Sequence, residues 1–429
     1  MVHRFETRAL HAGYEPDPET GSRAVPLYRT SSYVFKSAKH AADLFSLKEL
    51  GNIYTRIGNP TQEVLERRMA SLEEGTAGLA LSSGTSAIFY SIINICDHGD
   101  EFISANNLYG GTHTMFSHIL PKFGIKAVLV DPYKAENFEV AVTDKTRAIF
   151  VESLGNPVLD FIDLEAVSSV AKKHNLPVIV DSTFMTPYLF QPLKYGADIV
   201  VHSLTKWLGG HGTAIGGIVV DSGKFNWKDE KFTLYNQPDP GYHDLRYAHD
   251  LGEWNHIAFA MRMRLVPLRN LGACISPDNA WIFLQGIETL HVRMNRHCEN
   301  AMKVAEYLHD HNLVDWVRYP GLEDDPSHET AEKYLEKGYG GMVVFGLKGG
   351  KSAGEKFINH LELFSHLANV GDAKSLAIHP ASTTHSQLSE EDQREAGLKP
   401  ELIRLSIGLE NAADLIDDLD QALVKSQKG

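Results

Sequence analysis

Cysteine is scarce in this chain. Cys96, Cys274 and Cys298 are its three cysteines among 429 residues, and no two of them form a C-x-x-C pair. That spacing excludes a disulfide framework and a thiolate zinc site, and it suits a reducing compartment. No apolar run approaches the ~20 residues of a membrane span, and His3, Arg4 and Glu6 stand where a secretory leader would place its apolar segment. An excess of positive charge is also missing. Asp and Glu number 55 against 41 Lys and Arg, a net charge of −14, which argues against nucleic acid or an anionic membrane as the main partner. Histidine is plentiful, with 21 residues, yet no H-E-x-x-H or comparable spacing organises it, so no metal site is expected. No G-x-G-x-x-G follows the first strand pattern and no Walker lysine motif occurs, which removes support for nicotinamide and nucleotide readings. What remains is an ordinary soluble, cytoplasmic enzyme of two domains, or of one large domain with appendages.

Residues 1–65 read as an extended arm. Gly13, Pro16, Pro18, Gly21, Pro26, Gly51, Gly58 and Pro60 punctuate it, and one short helix is expected at 38–47. Tyr28, Tyr33, Phe35, Tyr54 and Ile57 would be costly to leave in water, so the arm is expected to lie over a neighbouring subunit. From 66 to 275 short β-branched runs alternate with helical patterns. Strands are expected at 79–81, 101–104, 127–130, 148–152, 178–181, 199–202 and 217–221, with helices at 62–72, 86–95 and 164–174. This rhythm predicts an α/β domain, a mostly parallel sheet covered by helices on both faces, with ligands at the carboxyl edge of the strands. The polar stretch 222–250 reads as a long loop or insertion. Pro277 opens a long amphipathic pattern through Met294 that leads into a smaller α/β C-terminal domain, 276–429. A strand is expected there at 341–347, a helix at 354–364, a loop around 376–385, a strand at 402–406 and a closing helix. That last helix sets Ala412, Leu415, Ile416, Leu419, Ala422 and Leu423 on one face.

Two of the strand patterns end on chemistry. Val178-Ile179-Val180 runs into Asp181, and Ile199-Val200-Val201-His202 runs into Ser203-Leu204-Thr205-Lys206 and then Gly209-Gly210-His211-Gly212. An Asp and a Lys at the carboxyl ends of two strands of one sheet suit pyridoxal phosphate (PLP). The lysine forms a Schiff base with the aldehyde, and the aspartate keeps the pyridinium nitrogen protonated so that the ring takes up electrons. The alternatives are a plain surface lysine and an aspartate that caps the turn that follows. Ser203 and Lys206 also match the S-x-x-K of penicillin-recognising serine enzymes, but the SDN and KTG elements that those need do not occur. Burial of Lys206 would lower its pKa toward that of a useful base, and the hydroxyls of Ser203 and Thr205 suit phosphate oxygens. Ser82-Ser83-Gly84-Thr85 lies where a strand turns into a helix, a ready phosphate cradle. Tyr109 follows another strand end, placed either to stack on a flat cofactor or to pack as a core tyrosine. Arg404 interrupts an apolar strand. A buried guanidinium needs an anion, either a substrate carboxylate or a structural salt-bridge partner.

Taken together, the Ser203–Lys206 motif with its glycines, Asp181, Tyr54-Thr55-Arg56 before Gly58-Asn59-Pro60-Thr61, and Asn107-Leu108-Tyr109-Gly110-Gly111-Thr112 resemble the Cys/Met-metabolism family of PLP enzymes over nearly the whole chain. Gly51-Asn52-Ile53-Tyr54-Thr55-Arg56 and the loop from Gly371-Asp372-Ala373-Lys374-Ser375 to His385 resemble the members that act on O-acetyl-L-homoserine. The resemblance implies a PLP-dependent transferase of fold type I, a homotetramer built from two tight dimers. It implies that Tyr54 and Arg56 reach the neighbouring subunit's PLP phosphate, while Gly84, Thr85, Ser203 and Thr205 hold that group from within the subunit. Asn156 would sit near the PLP hydroxyl and the substrate carboxylate, which Arg404 and Ser375 would grip. One departure is Ser153-Leu154-Gly155-Asn156-Pro157, where many relatives carry Pro and Thr in place of Leu154 and Gly155. The implied reaction is γ-replacement on O-acetyl-L-homoserine by sulfide or methanethiol, with Lys206, Asp181 and Tyr109 as the catalytic residues. A γ-lyase or a cystathionine-forming enzyme on the same scaffold is the near alternative. A sulfur-carrier partner or non-catalytic homologue is the distant one.

Overall fold

Short runs of Val, Ile and Phe build a sheet buried on both faces. In the computed structural model, which describes residues 3–383 and 399–427, seven strands form it: β1 Ala77–Leu81, β2 Glu101–Ala105, β3 Lys126–Val130, β4 Thr146–Glu152, β5 Val178–Asp181, β6 Ile199–Ser203 and β7 Gly217–Asp221. Across the sheet the order is β1-β7-β6-β5-β4-β2-β3. All pairings are parallel except those of β7, which runs antiparallel to β1 and β6. Between β6 and β7 the chain returns without a crossover helix, and a direct return leaves strands antiparallel.

Alternation along each strand sorts the side chains to two faces. Ile149, Val151, Val178, Val180 and Val200 enter one core, and Ala148, Phe150, Ile179, Ile199 and Val201 enter the other. The same count sends Glu152, Asp181 and Ser203 to the second face at the carboxyl edge. It sends His202 to the first, where it meets Glu73 at 2.5 Å with both side chains fully buried.

The arm divides into two parts. Helix α1, Phe5–His11, buries Phe5 and Ala9 in the first core, and Arg8 binds the Ser71 carbonyl and the Glu74 carboxylate of its own chain. This helix was not among the sequence expectations, because seven residues give little periodicity. The stretch after it packs only in part, with Tyr14 and Val25 against the first core and Leu47 against the second. Helix α2, Ala38–Phe45, buries Leu44 alone, and Val34 is 98% exposed. Asn59 caps helix α3, Pro60–Glu73, by accepting the Thr61 N–H.

Residues 222–250 carry a single helical turn, Thr233–Asn236, yet they are not a solvent-borne insertion. Trp227, Phe232, Tyr235, Tyr242 and Tyr247 are buried in the second core. The amphipathic pattern from Pro277 breaks at Thr289 into helices Pro277–Glu288 and Leu290–Asp310. Beyond them lies a second sheet of β8 Val314–Arg318, β9 Met342–Leu347, β10 Ser365–His366, β11 Leu376–Ile378 and β12 Leu402–Ser406, in the order β10-β11-β12-β9-β8. β10 and β11 are parallel and the other pairs antiparallel. The helix expected at 354–364 spans Gly350–His360, and the closing helix Ala412–Ser426 buries Leu415, Leu419, Ala422 and Leu423. Thr384 and His385, the end of the 371–385 loop motif, lie outside the described residues.

Candidate active site

Strands β4, β5 and β6 end side by side, and their last residues share a face. Asp181 does cap the turn that follows its strand. Its Oδ1 accepts the Thr183 N–H at 2.9 Å and the Thr183 hydroxyl at 2.5 Å, while Thr183 Oγ1 accepts the Ser203 N–H at 2.9 Å. Two strand ends are thereby laced together through one threonine. Glu152 stands on the same rung as Asp181, and its Oε1 accepts the Tyr109 N–H at 2.8 Å. Burial pushes both carboxyls up. For Glu152 the neighbouring Asp181 charge pushes further in the same direction, and its pKa lies well above the usual carboxylate range.

Lys206 lies just beyond β6. Its Nζ donates to Asn369 Oδ1 at 2.5 Å, and burial, assisted by the Arg404 charge, lowers its pKa to about 8. Arg404, on β12, donates from Nη1 to Asn156 Oδ1 at 3.1 Å, and burial lowers its pKa to about 10. Both partners are neutral amides. Among the described residues no carboxylate forms an ion pair with either cation, so the structural salt bridge considered for Arg404 is absent there. Asn156 is buried, and its N–H donates to the Asn107 carbonyl at 3.3 Å. A Cβ on the adjacent Gly155 would lie 2.2 Å from Asn107 Nδ2. With Asn107 where it stands, any side chain at 155 would have to displace it. The Tyr109 ring is 53% exposed, which removes the core-tyrosine alternative.

The cradle is formed by the start of helix α4, Gly84–Ile93. Ser83 caps it by accepting the Ser86 N–H at 3.0 Å, and the first N–H groups of a helix have no intrahelical acceptor. A Cβ on Gly84 would meet Ser203 Cβ at 2.7 Å, so glycine lets the helix start press against the end of β6. Among the described residues the Ser203 hydroxyl has no hydrogen-bond partner. The Thr205 hydroxyl is held by the Gly216 backbone, accepting its N–H at 3.1 Å. Thr85 is exposed.

Three expected site residues stand apart from this cluster. Arg56 donates to the Arg269 carbonyl at 2.7 Å and lies 5.2 Å over the Tyr54 ring, and Tyr54 is 43% exposed on the arm. Ser375 is fully buried. Its hydroxyl donates to Glu410 Oε2 at 2.9 Å and accepts the Gly408 N–H at 2.8 Å, so it is engaged within the chain. Conversely, Thr183 and Asn369 were not singled out by sequence reasoning. The Asp-x-Thr spacing carried a signal for the first, because an Asp side chain commonly accepts from the backbone two residues on. Asn369 lies 163 residues from Lys206, and no local pattern joins them.

The site thus holds buried carboxyls whose partners are neutral donors, and cations whose partners are neutral amides. A ring nitrogen that carries a proton opposite Asp181, an aldehyde at Lys206 and a phosphate at the start of α4 would supply the complementary groups. The residues present fit PLP. Fold and site together define a PLP-dependent enzyme of the fold type I class. The match to the Cys/Met metabolism PLP-dependent enzyme family runs over residues 6–424, and the chain belongs to that family. It is 55% identical to an O-acetyl-L-homoserine sulfhydrylase of Leptospira meyeri, covering 97% of this chain and 96% of that one. Identity is 50% to O-acetyl-L-homoserine sulfhydrylase 1 of Thermus thermophilus, covering 98% and 100%. A Campylobacter jejuni crystal structure assigned to an O-acetylhomoserine (thiol)-lyase, which holds N'-pyridoxyl-lysine-5'-monophosphate, aligns with a TM-score of 0.95 at 43% identity, over 98% of this chain and 100% of that one.

Proposed function

We propose that this chain exchanges the acetate of O-acetyl-L-homoserine for sulfide or methanethiol, giving L-homocysteine or methionine. The observation that carries the reading is the amine of Lys206, lowered to about 8 under the influence of Arg404, whose guanidinium has no carboxylate partner among the described residues. Such a pair suits an α-amino acid, whose carboxylate takes the guanidinium while its α-proton goes to the amine. The names of the relatives support the choice of substrate.

Bound PLP supplies an electron-accepting ring that stabilises negative charge at the substrate α-carbon. The chain's own residues do the rest. Lys206 is neutral in a useful fraction near pH 8 and takes the α-proton. A proton then leaves Cβ, acetate departs from Cγ with the bonding pair, a thiolate adds there, and both protons return. Acetate leaves readily, so proton removal is the demanding task, and it falls on Lys206 and Asp181. Thr183 holds Asp181, which would face the ring nitrogen of bound PLP. Tyr109, held through its N–H by Glu152, would stack on the ring and assist proton movement. Gly84, Thr85, Ser203 and Thr205 would hold the phosphate. Arg404 and Asn156 orient the substrate carboxylate, and Ser375 serves that site through the loop that it braces with Glu410.

The same reading extends to the assembly. Tyr54 and Arg56 serve the phosphate site of a partner subunit, in a cytoplasmic homotetramer made of two tight dimers. This accounts for the tyrosine left exposed at position 54. The chain divides into an arm at 1–65, a PLP-binding domain at 66–275 and a C-terminal domain at 276–429.

The test is a product assay of O-acetyl- and O-succinyl-L-homoserine, each against sulfide, cysteine and methanethiol. Homocysteine from the acetyl ester and sulfide is the expected outcome. Cystathionine from cysteine as the main product, or 2-oxobutyrate alone, would replace the proposal with a cystathionine synthase or a γ-lyase.

A further inference from the structure

The Lys206 amine does not rest against either acid of its own sheet edge. It rests on Asn369, which the connection between β10 and β11 brings over from the second sheet, at 2.5 Å. That connection is fixed on both sides of Asn369. The Gly371 N–H donates to Ser406 Oγ at 2.8 Å, the Ala373 N–H donates to the Gly210 carbonyl at 2.8 Å, and the Ser365 N–H donates to the Ser375 carbonyl at 3.0 Å. Gly371 has a φ of +75°, and a Cβ there would lie 2.5 Å from the Trp207 nitrogen. The loop therefore seats directly on the peptide that follows Lys206, and a side chain at 371 would lift it off. Asn369 is held where it is by the residues that surround the lysine.

We propose that Asn369 is a positioning residue for Lys206. Its side-chain carbonyl receives the amine whenever that amine is free, and as a neutral acceptor it does so without restoring ordinary lysine basicity. A carboxylate at the same distance would favour the ammonium and raise its pKa by about 1–3 units. With no acceptor, an amine with several N–H donors has the buried acids Asp181 and Glu152 at the same sheet edge as alternative partners. The charged group that acts on the amine is Arg404, which opposes protonation. An amide meets both requirements, fixed direction and no added charge. The inference rests on Lys206 as the residue that carries PLP, as set out under Proposed function.

The experiment uses the full chain freed of cofactor and follows, by absorbance, the rate at which it captures added PLP as a function of pH. In the parent the rate should rise with a midpoint near 8. Asn369→Asp should move that midpoint up by about one unit or more, which at neutral pH slows capture about tenfold. Asn369→Ala should keep the midpoint low and slow capture several-fold, with Asn369→Ser recovering part of the rate. In the reloaded enzymes kcat should fall for Asp and Ala while KM for O-acetyl-L-homoserine changes by less than about twofold, since Arg404 is untouched. Thermal unfolding of each variant separates this role from a structural one. Equal midpoints and rates in all four proteins, or losses that follow the melting temperature alone, would overturn the inference. Should Asn369→Asp not fold, the Ala and Ser capture rates decide the matter by the same criterion. A parent that captures no PLP at any pH would instead sink the reading of Lys206 itself, and this inference with it.

Discussion

Arg318 and Arg404 both stand on strands of the second sheet, and both are largely withdrawn from water, yet their partners differ in kind. Arg318 donates to Asp325 Oδ2 at 2.9 Å and to Asp160 Oδ1 at 2.8 Å. Asp325 in turn accepts the backbone N–H groups of Tyr319 and Ser327. Burial alone would lower the Arg318 pKa, but the two carboxylates raise it on balance. Among the described residues Arg404 has one amide oxygen as partner and a pKa lowered to about 10. In the first cluster each charge is met within the protein. In the second the charges are held by dipoles and left for a ligand. Buried charge that is satisfied internally marks the frame, and buried charge with neutral partners marks the site. The two clusters are joined. The Gly155 N–H donates to the Asp160 carbonyl at 2.9 Å, so the Arg318 cluster also fixes the loop that presents Asn156 to Arg404.

The contrast breaks most sharply at Lys206. Lys206→Ala should lower the rate of homocysteine formation by about 10³-fold or more, while the melting temperature of the cofactor-free protein stays level or rises, because a poorly solvated amine has been removed. Turnover at the parent's rate would end the account of the site. Arg318→Met should do the opposite. It leaves two buried carboxylates without their cation, an expected loss of about 3–5 kcal/mol in denaturant unfolding, with kcat per folded molecule changed only a few-fold. If Arg318→Met left stability intact, or removed activity without loss of stability, the division between frame and site would not hold.

What could be read from the chain beforehand follows the same division. Asp181, Lys206 and Gly84 sit at the ends of β-branched or small-residue runs, where strand polarity dictates which edge they reach, so a linear pattern suffices to group them. Their partners come from elsewhere. Asn369 arrives from the second sheet, and Arg318 lies on β8, a five-residue strand whose Asp315 and Arg318 break up the apolar signal. The direction of β7 depends on a return without a helix, and the Trp and Tyr residues of 222–250 are buried because the second core receives them. Neither fact is a local property. Ser375 illustrates the same point at the scale of one hydroxyl. Its place in the motif indicated a ligand contact, and its hydroxyl also donates to Glu410 and accepts from Gly408.

The smallest expected effect is also the one that separates the two clusters without disturbing either. The Lys206 amine has a pKa of about 8 in the folded chain against 10.5 for an ordinary lysine. Below about 8 both the folded and unfolded chains carry the proton, and folding bears the whole cost of burying a charge. Between the two values the unfolded chain binds more protons than the folded one, so stability rises with pH across that window. Above it both forms are neutral and the cost is gone. Relative to Lys206→Met, the cofactor-free parent should therefore gain about 1–3 kcal/mol as the pH is raised from 7.5 to 10.5, measured by urea unfolding at each pH. Arg318 remains protonated in both states throughout this range, so the gap between the parent and Arg318→Met should stay flat with pH. Parallel curves for the parent and Lys206→Met would mean that the folded amine is as basic as a free lysine. In that event the neutral partner at Asn369 would have no electrostatic meaning, and Lys206 would belong with the frame.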